Sequence, residues 1–203
     1  MIIHNMEQGS EEWHGIRCGI PTASNFGKIL SATGKPSTSA SSYMDSLLAD
    51  WLAGQPVDIV QSTLWMERGT ELETEARQAY SFITGNEVQQ VGFCMEDGGR
   101  WGCSPDGLIG EDGGLEIKCP KASTLVGYYH ILRCPSDYRP QIQGCMMVTG
   151  RQWWEFFAYH PALRPLIVRV ERDDEYIKKQ EEALTKFVET MEAKKETLKE
   201  WRM

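Results

Sequence analysis

Apolar residues recur at helical spacing in the first part of the chain. Between Leu64 and Thr84 they fall every three or four positions. The residues of this stripe are Leu72, Ala76, Ala79, Tyr80 and Ile83. The spacing predicts a helix over Leu64–Thr84, and a similar pattern predicts another over Tyr43–Ala53. Two shorter helices are predicted within Ser10–Leu30, and a serine-rich loop over Ser31–Ser42.

The period of the apolar residues drops toward two after Glu87, which is typical of strands. Strands are predicted at Val88–Met95, at Arg100–Cys103 continuing to Leu108, and at Gly114–Lys118. Turns rich in glycine and aspartate separate them, so we expect a meander. The rest of the chain is predicted to hold a helix, two strands and a long closing helix, at Pro140–Thr149, Arg151–Tyr159, Leu166–Val170 and Asp173–Trp201.

This order of elements lacks the regular alternation of strand and helix that builds a purely parallel sheet. It predicts an α/β fold of the mixed, α+β kind, in which helices flank a central sheet. A chain of 203 residues with 41% hydrophobic and 25% charged residues has the size and composition of one globular domain. We therefore expect a single domain over residues 1–203.

Composition and cysteine spacing narrow the class of protein. No run approaches the roughly 18 apolar residues of a membrane span, and Met1–Ser10 lacks a secretory signal, so we expect a cytoplasmic protein. The nearest of the six cysteines, Cys94 and Cys103, are nine positions apart, which excludes a Cys-x-x-Cys metal or redox pair. The formal charge of −8 argues only weakly against a nucleic-acid partner, because the acids are concentrated in a few segments.

The stretch SPDGLIGEDGGLEIKCP holds the candidate chemistry. Glu116 and Lys118 project to one face of a strand, because residues two apart share a face. Asp106 ends the preceding strand, so two carboxylates and an ammonium can converge. Close carboxylates repel each other unless a cation lies between them, and Mg²⁺ bound by both acids and the carbonyl of Ile117 is the natural candidate. The alternative is an ordinary half-exposed strand that follows a Pro-Asp-Gly turn.

These residues also resemble a known signature. S-P-D-G-L followed by L-E-I-K-C-P is similar to the signature of the PD-(D/E)xK nucleases, specifically of the phage lambda exonuclease and YqaJ-type viral recombinase family. Three further blocks resemble that family in the same order, namely QGSEEWHGIRCGIPTAS, GTELETEA and YRPQIQGCMMVT. The resemblance implies a restriction-endonuclease-like fold, a central mixed sheet flanked by helices, with an N-terminal helical segment that binds the DNA end.

The resemblance also implies roles in catalysis. Asp106 and Glu116, assisted by the carbonyl of Ile117, correspond to the metal ligands of the family. Lys118 corresponds to the catalytic lysine, which beside a metal-bound water positions or deprotonates the nucleophile, or balances charge on the phosphate oxygens. Glu73 corresponds to an additional acid that faces the metal, although the sequence alone favours a solvated helix charge.

A second group of residues is implied to act in catalysis or in binding the DNA end. Gln143, next to Gln141 in a Q-x-Q block, corresponds to a catalytic glutamine. Arg17 and Ser24, with Ser104, correspond to a pocket for a terminal 5′-phosphate, which suits the bidentate, charge-assisted bonds that guanidinium makes to phosphate. Without the resemblance, the sequence describes Arg17 as a surface charge and Ser24 as a residue at the start of a helix.

The implied activity is a Mg²⁺-dependent 5′-to-3′ exodeoxyribonuclease on double-stranded DNA ends, with Mn²⁺ as a possible substitute, that leaves 3′ overhangs for phage-type recombination. A single-strand annealing protein is the implied partner, a homotrimeric ring the implied assembly, and the host cytoplasm the location for a phage or prophage protein.

Trp13 is predicted to pack in the core. Thr124 occupies the position where the family suggests an arginine that contacts DNA, so the contacts of this protein with the DNA strand can differ from those of the family.

Two alternatives remain open. One is an endonuclease or repair nuclease of the same fold, because this core serves many specificities. The other is a non-catalytic scaffold that binds DNA ends during recombination, in which the acids only stabilise a turn.

Overall fold

The computed structural model describes residues 1–57 and 64–202. Its α-helices are α1 (Glu11–Ile16), α2 (Ala40–Ala53), α3 (Leu64–Thr84), α4 (Ala122–Ile131), α5 (Arg139–Thr149) and α6 (Asp174–Leu198). Its strands are β1 (Ile2–His4), β2 (Phe93–Met95), β3 (Gly102–Cys103), β4 (Gly107–Ile109), β5 (Gly113–Lys118), β6 (Trp153–His160) and β7 (Leu163–Glu171). Short 3₁₀ helices lie at Ala23–Lys28, Ser136–Tyr138 and Lys199–Trp201.

The strands form two sheets. The smaller sheet has the order β1-β2-β3 and is antiparallel throughout. The larger sheet has the order β4-β5-β6-β7, in which β5 and β6 run parallel and the other two pairs run antiparallel. A parallel pair needs a long crossover, and the segment with α4 and α5 supplies it between β5 and β6. The larger sheet is therefore mixed, as predicted.

Helices cover both faces of the larger sheet. On one face Leu115 and Ile117 of β5 pack against Ala76 and Tyr80 of α3. On the other face the buried side chains of β6, including Phe156, join those of α5 and α6. Because neighbouring residues of a strand face opposite ways, the burial of Leu115 and Ile117 against α3 turns the residue between them toward α5.

Two elements, β1 and α4, were not predicted from the periodicity of the sequence. Strand β1 has only three residues, and it forms by pairing with the distant strand β2 rather than by its own pattern. Helix α4 buries a single residue, Leu125, so it lacks an apolar stripe. Helix α2 begins at Ala40 rather than at Tyr43, which shortens the predicted loop.

The predicted meander is wrong in one respect. The segment from Arg100 to Leu108 is not one strand but two, because β3 pairs with β2 in the small sheet while β4 pairs with β5 in the large one. Pro105 lies at the break and has no backbone N–H to donate to a ladder. The predicted strand Val88–Met95 is also shorter and is formed only at Phe93–Met95. Asp106 therefore lies at the junction between the two sheets.

The closing helix α6 begins and packs as predicted. Its N-cap is Asp173, whose side chain accepts a hydrogen bond from the backbone N–H of Tyr176 at 3.0 Å. The buried stripe contains Tyr176, Ile177, Leu184, Phe187, Val188 and Met191. Within the described ranges, no helix is both long enough and apolar enough to span a bilayer.

Candidate active site

Glu116 and Lys118 lie on the same face of β5, as their spacing predicts. The ammonium Nζ of Lys118 is 2.5 Å from Oε1 of Glu116. Gln141 of α5 donates from Nε2 to the same oxygen at 2.6 Å. The side chain of Glu116 is only 1% exposed, and its Oε2 is buried without a hydrogen-bond partner among the described residues. A buried carboxylate oxygen without a donor is costly, so Oε2 favours a further ligand.

Asp106 lies next to this pair because of how the β4–β5 ladder ends. The ladder pairs Gly107 with Leu115 at its last register position. One residue further, Oδ2 of Asp106 accepts a hydrogen bond from the backbone N–H of Ile117 at 2.6 Å. The side chain of Asp106 thus replaces the next backbone acceptor, and its carboxylate lies within electrostatic reach of Glu116 and Lys118.

The charges of Asp106, Glu116 and Lys118 affect the pKa values of their neighbours in the cluster. Loss of hydration, followed by the charge of Glu116, raises the pKa of Asp106 well above its ordinary value. Burial alone would lower the pKa of Lys118, but the carboxylates of Glu116 and Asp106 outweigh that effect and raise it. When both acids are ionised, two carboxylates face one ammonium, which offsets their negative charge only in part.

The donor set fits a hard divalent cation. No three His, Cys, Asp or Glu side chains within residues 1–57 and 71–202 are arranged to hold a metal ion by themselves. Mg²⁺, however, commonly takes one or two protein carboxylates and fills the rest of its shell with water and substrate phosphate. Asp106 and the unpartnered Oε2 of Glu116 form such a pair. The carbonyl of Ile117 stays a predicted third ligand.

The two glutamines of α5 differ from their predicted roles. Gln143 is buried away from the carboxylates, since its Nε2 donates to the carbonyl of Glu171 at 2.9 Å and its Oε1 accepts from the N–H of Asp173 at 2.9 Å. Positions two apart on a helix point about 200° apart, so only one of the two can face β5. That residue is Gln141, and the expected catalytic role of Gln143 does not fit this geometry.

Glu73 faces the same cluster from α3. Its charge contributes to raising the pKa of Asp106, after the larger effects of lost hydration and Glu116. Its Oε1 accepts from Nη2 of Arg77, one turn further along the helix, at 2.5 Å. Sequence reasoning missed Arg77, although the acid-to-base spacing of four residues was a signal for a pair on one helix face.

The residues predicted to bind the DNA end surround a cavity of about 230 Å³. Arg17, Ser24 and Ser104 line it, as does Gln141, which contacts Glu116. The structure thus brings the predicted 5′-phosphate residues together and joins their cavity to the acidic cluster. Thr124 is exposed on α4 and does not line this cavity.

Arg17 is held in this cavity by an aromatic ring. Its guanidinium carbon lies 3.5 Å from the centre of the Trp13 ring, and its Nε is buried without a hydrogen-bond partner among the described residues. Burial lowers the pKa of Arg17 to about 10, so the group stays cationic at neutral pH. A half-buried cation with an unused donor is well suited to an anionic ligand.

Trp13 was predicted to pack in the core, but it is only half-buried and also makes hydrogen bonds. Its indole Nε1 donates to Oγ of Ser104 at 2.9 Å and to the carbonyl of Gly92 at 3.1 Å. The ring thus supports Arg17 and Ser104 together. A second cleft of about 650 Å³ is lined by Trp13, Glu73 and Asp106 among others, so Trp13 borders both cavities, whereas the two acids border the second.

Comparison with known proteins identifies the family. Residues 12–152 match the model of the YqaJ-like viral recombinase domain. No curated protein matches significantly. Among solved structures, an alkaline exonuclease (LHK-Exo) from Laribacter hongkongensis is 35% identical with a TM-score of 0.86, and the match covers 94% of this chain and 97% of that one.

Two further solved structures are similar. LHK-Exo in complex with dAMP matches with a TM-score of 0.84 at the same identity and coverage. A phage-related exonuclease from Haemophilus somnus 129PT matches with a TM-score of 0.63 over 86% of this chain and 96% of that one, and at 15% identity it shows a likeness of fold alone. The chain therefore belongs to the family of YqaJ-like viral recombinase domains and has the PD-(D/E)xK nuclease fold that its sequence predicted.

Proposed function

We propose that the protein is a Mg²⁺-dependent exodeoxyribonuclease that enters at a double-stranded DNA end and degrades the 5′-terminated strand, leaving a 3′ overhang. Family membership and the similarity to an alkaline exonuclease support a nuclease that acts on DNA. The observation that carries the finer proposal is the contact of the acidic cluster, through Gln141, with a cavity lined by Arg17, whose Nε has no hydrogen-bond partner among the described residues. The 5′ end of a DNA strand bound in this cavity would place the adjacent phosphodiester next to the carboxylates of the acidic cluster.

Asp106 and Glu116 would hold the cation, with the carbonyl of Ile117 as a further ligand. A bound Mg²⁺, or Mn²⁺ in its place, would supply Lewis-acid polarisation of the phosphate and a lowered pKa for water. Gln141 and Lys118 both donate to Oε1 of Glu116, which leaves Oε2 free for the cation.

Lys118 is the residue that we assign to the nucleophile. Lys118 is the last residue of β5 and 29% of its side chain is exposed, which supports access by a water or a phosphate oxygen. There it positions the attacking water or stabilises the charge that grows on the phosphate oxygens. The water oxygen forms the new bond to phosphorus while the bond to the 3′ oxygen of the terminal nucleotide breaks, and that oxygen leaves as a hydroxyl after taking up a proton.

A pocket for the 5′-phosphate would account for 5′-to-3′ digestion. Arg17, Ser24 and Ser104 would bind the terminal phosphate of the strand, and the cleaved bond lies one nucleotide further on. This cleavage releases a 5′-mononucleotide and leaves a new 5′-phosphate on the shortened strand. Each product end is therefore again a ligand for the same pocket.

The proposed partners follow from the family. Double-stranded DNA ends would be the substrate, a single-strand annealing protein would act on the 3′ overhang, and a homotrimeric ring in the cytoplasm would enclose the duplex. These three statements are proposals that size-exclusion chromatography and co-purification with an annealing protein can test.

The central test compares a linear 5′-phosphorylated duplex with a covalently closed circular duplex, each with Mg²⁺ or with a chelator. We expect digestion of the linear duplex only, and only with Mg²⁺, and we expect the Lys118→Ala variant to fold but not to digest. Cleavage of the closed circle would favour an endonuclease. Tight binding to ends without Mg²⁺-dependent cleavage would favour the scaffold, and normal digestion by Lys118→Ala would refute the assignment of the lysine.

A further inference from the structure

Arg77 lies next to the acidic cluster, and the function assigned above gives it no role. It is on α3. The orientation of this helix about its own axis is fixed, because Ala76 and Tyr80 are fully buried against the large sheet. This packing directs the neighbouring side of the helix, with Glu73 and Arg77, toward the loop that carries Asp106. The side chain of Arg77 is only 15% exposed.

The guanidinium of Arg77 contacts three different groups. Its Nε donates to the backbone carbonyl of Asp106 at 3.0 Å, and its Nη2 donates to Oε1 of Glu73 at 2.5 Å. With the amide of Gln90 oriented so that its oxygen faces the guanidinium, Nη1 donates to that oxygen at 2.5 Å. The planar fork of an arginine presents its donors in a fixed geometry, so one side chain reaches a carbonyl, a carboxylate and an amide at once.

Asp106 depends on such outside contacts because it lies where the sheet stops. The β4–β5 ladder ends with Gly107 opposite Leu115, so the backbone before Gly107 is held by side chains. Arg77 binds the carbonyl of Asp106, and Gln8 donates to the carbonyl of Pro105 at 2.9 Å. The peptide units on either side of the Asp106 Cα are thus fixed by two side chains from distant parts of the sequence.

We propose that Arg77 is a positioning residue that sets the placement of Asp106 and Glu73 relative to each other and thereby the affinity of the site for a divalent cation. This inference rests on the proposed function. Arg77 acts through the two acids rather than by touching the substrate, because its Nε, Nη1 and Nη2 already face protein acceptors. Groups that orient metal ligands commonly change metal affinity or activity by about 10- to 100-fold when they are removed.

The test compares Arg77→Gln and Arg77→Lys with wild type. Arg100→Gln is the matched control, because Arg100 also pairs with an acid four residues away, Glu96, at 2.8 Å, but lies in the turn between β2 and β3. Mn²⁺ binding to the DNA-free protein is measured by titration calorimetry. The kcat and KM for a 5′-phosphorylated duplex are measured at fixed Mg²⁺, and thermal unfolding in chelator reports the fold.

We expect Arg77→Gln to weaken Mn²⁺ binding about tenfold or more and to lower kcat, while KM for DNA ends stays within about twofold of wild type. Arg77→Lys keeps the charge and the spacing to Glu73 but loses the fork, so we expect it to weaken Mn²⁺ binding as well. It also provides the decisive measurement should Arg77→Gln fail to fold. The control should match wild type in every readout.

Unchanged Mn²⁺ affinity in a folded Arg77→Gln, or in Arg77→Lys, would overturn the inference. A rise in KM with unchanged Mn²⁺ affinity would do so too, because it would indicate direct contact with DNA. If wild type binds Mn²⁺ but does not digest DNA, the proposed function fails, and calorimetry still decides the role of Arg77. If wild type binds no Mn²⁺, both fail.

Discussion

The Arg17→Ala substitution should abolish the preference of the enzyme for 5′-phosphorylated over 5′-hydroxyl ends. The guanidinium stacks on Trp13 at 3.5 Å, and its buried Nε, in the cavity that Ser24 and Ser104 also line, has no hydrogen-bond partner in the described part of the chain. A terminal phosphate would accept two hydrogen bonds from this group. A hydroxyl end offers no charge, so it gains little from Arg17.

The magnitude follows from the kind of bond that is lost. Hydrogen bonds to charged groups contribute about 1.5–3 kcal/mol each, so a bidentate contact contributes about 3–6 kcal/mol. Ser24 is exposed, so water reaches the mouth of the cavity and replaces part of the loss. We take about 3 kcal/mol as the net effect, which corresponds to roughly a hundredfold in kcat/KM. On the 5′-hydroxyl duplex the change should stay within about threefold, because charge-assisted bonds are absent there.

The assay uses two labelled duplexes of identical sequence that differ only in the 5′ group, with digestion followed under single-turnover conditions. Arg17→Lys should fall between wild type and Arg17→Ala, because it keeps the charge but not the bidentate geometry. Trp13→Phe keeps a ring for the guanidinium but loses the hydrogen bond to Ser104, so it should lower the preference less than Arg17→Ala does. Equal losses on both duplexes with Arg17→Ala would refute the reasoning and remove Arg17 from recognition of the end.

Two other substitutions test the geometry of the cluster. Gln141→Ala should lower kcat with little change in stability. Gln143→Ala should lower the free energy of unfolding by about 1–3 kcal/mol, because a buried side chain loses its hydrogen bonds to the carbonyl of Glu171 and the N–H of Asp173. Urea unfolding and digestion rates check both, and the reverse pattern would contradict the assignment. Asp106→Asn should raise the stability of the metal-free protein at neutral pH by on the order of 1 kcal/mol. The fold raises the pKa of Asp106 and so favours its neutral form. Wild type should therefore gain stability as pH falls through that pKa, whereas the variant should not. Thermal unfolding in chelator across pH measures this difference, and equal pH profiles of the two proteins would count against it.

The pattern of the sequence was enough to predict the central strand and its polar face. Alternation in Gly114–Lys118 depends only on neighbouring residues, so the shared face of Glu116 and Lys118 followed without knowledge of the partners of β5. The same pattern placed Asp106 at the end of the preceding strand, and the resemblance to the family added Glu73 and the residues of the phosphate cavity. In the structure these side chains surround one acidic cluster and the cavity beside it.

What the sequence did not reveal depends on packing between distant segments. Helix α5 is buried at most of its positions, so no polar stripe indicated which glutamine faces β5. The contacts of Arg77 with Asp106 and of Gln8 with Pro105 join residues 29 and 97 positions apart. The pairing of β1 with β2 is non-local in the same way. Periodicity reports one element at a time, whereas these contacts require the whole fold.

The charges of the cluster explain how a protein with a formal charge of −8 can accept a phosphodiester. Glu73, Asp106 and Glu116 carry three negative charges when ionised, while Lys118 and Arg77 carry two positive ones. The five groups together are therefore negative by one charge and would repel a phosphate. A divalent cation would make the sum positive by one, which a single phosphodiester neutralises. The surface charge of the rest of the protein decides little here, because screening at physiological salt limits its reach to about 8 Å.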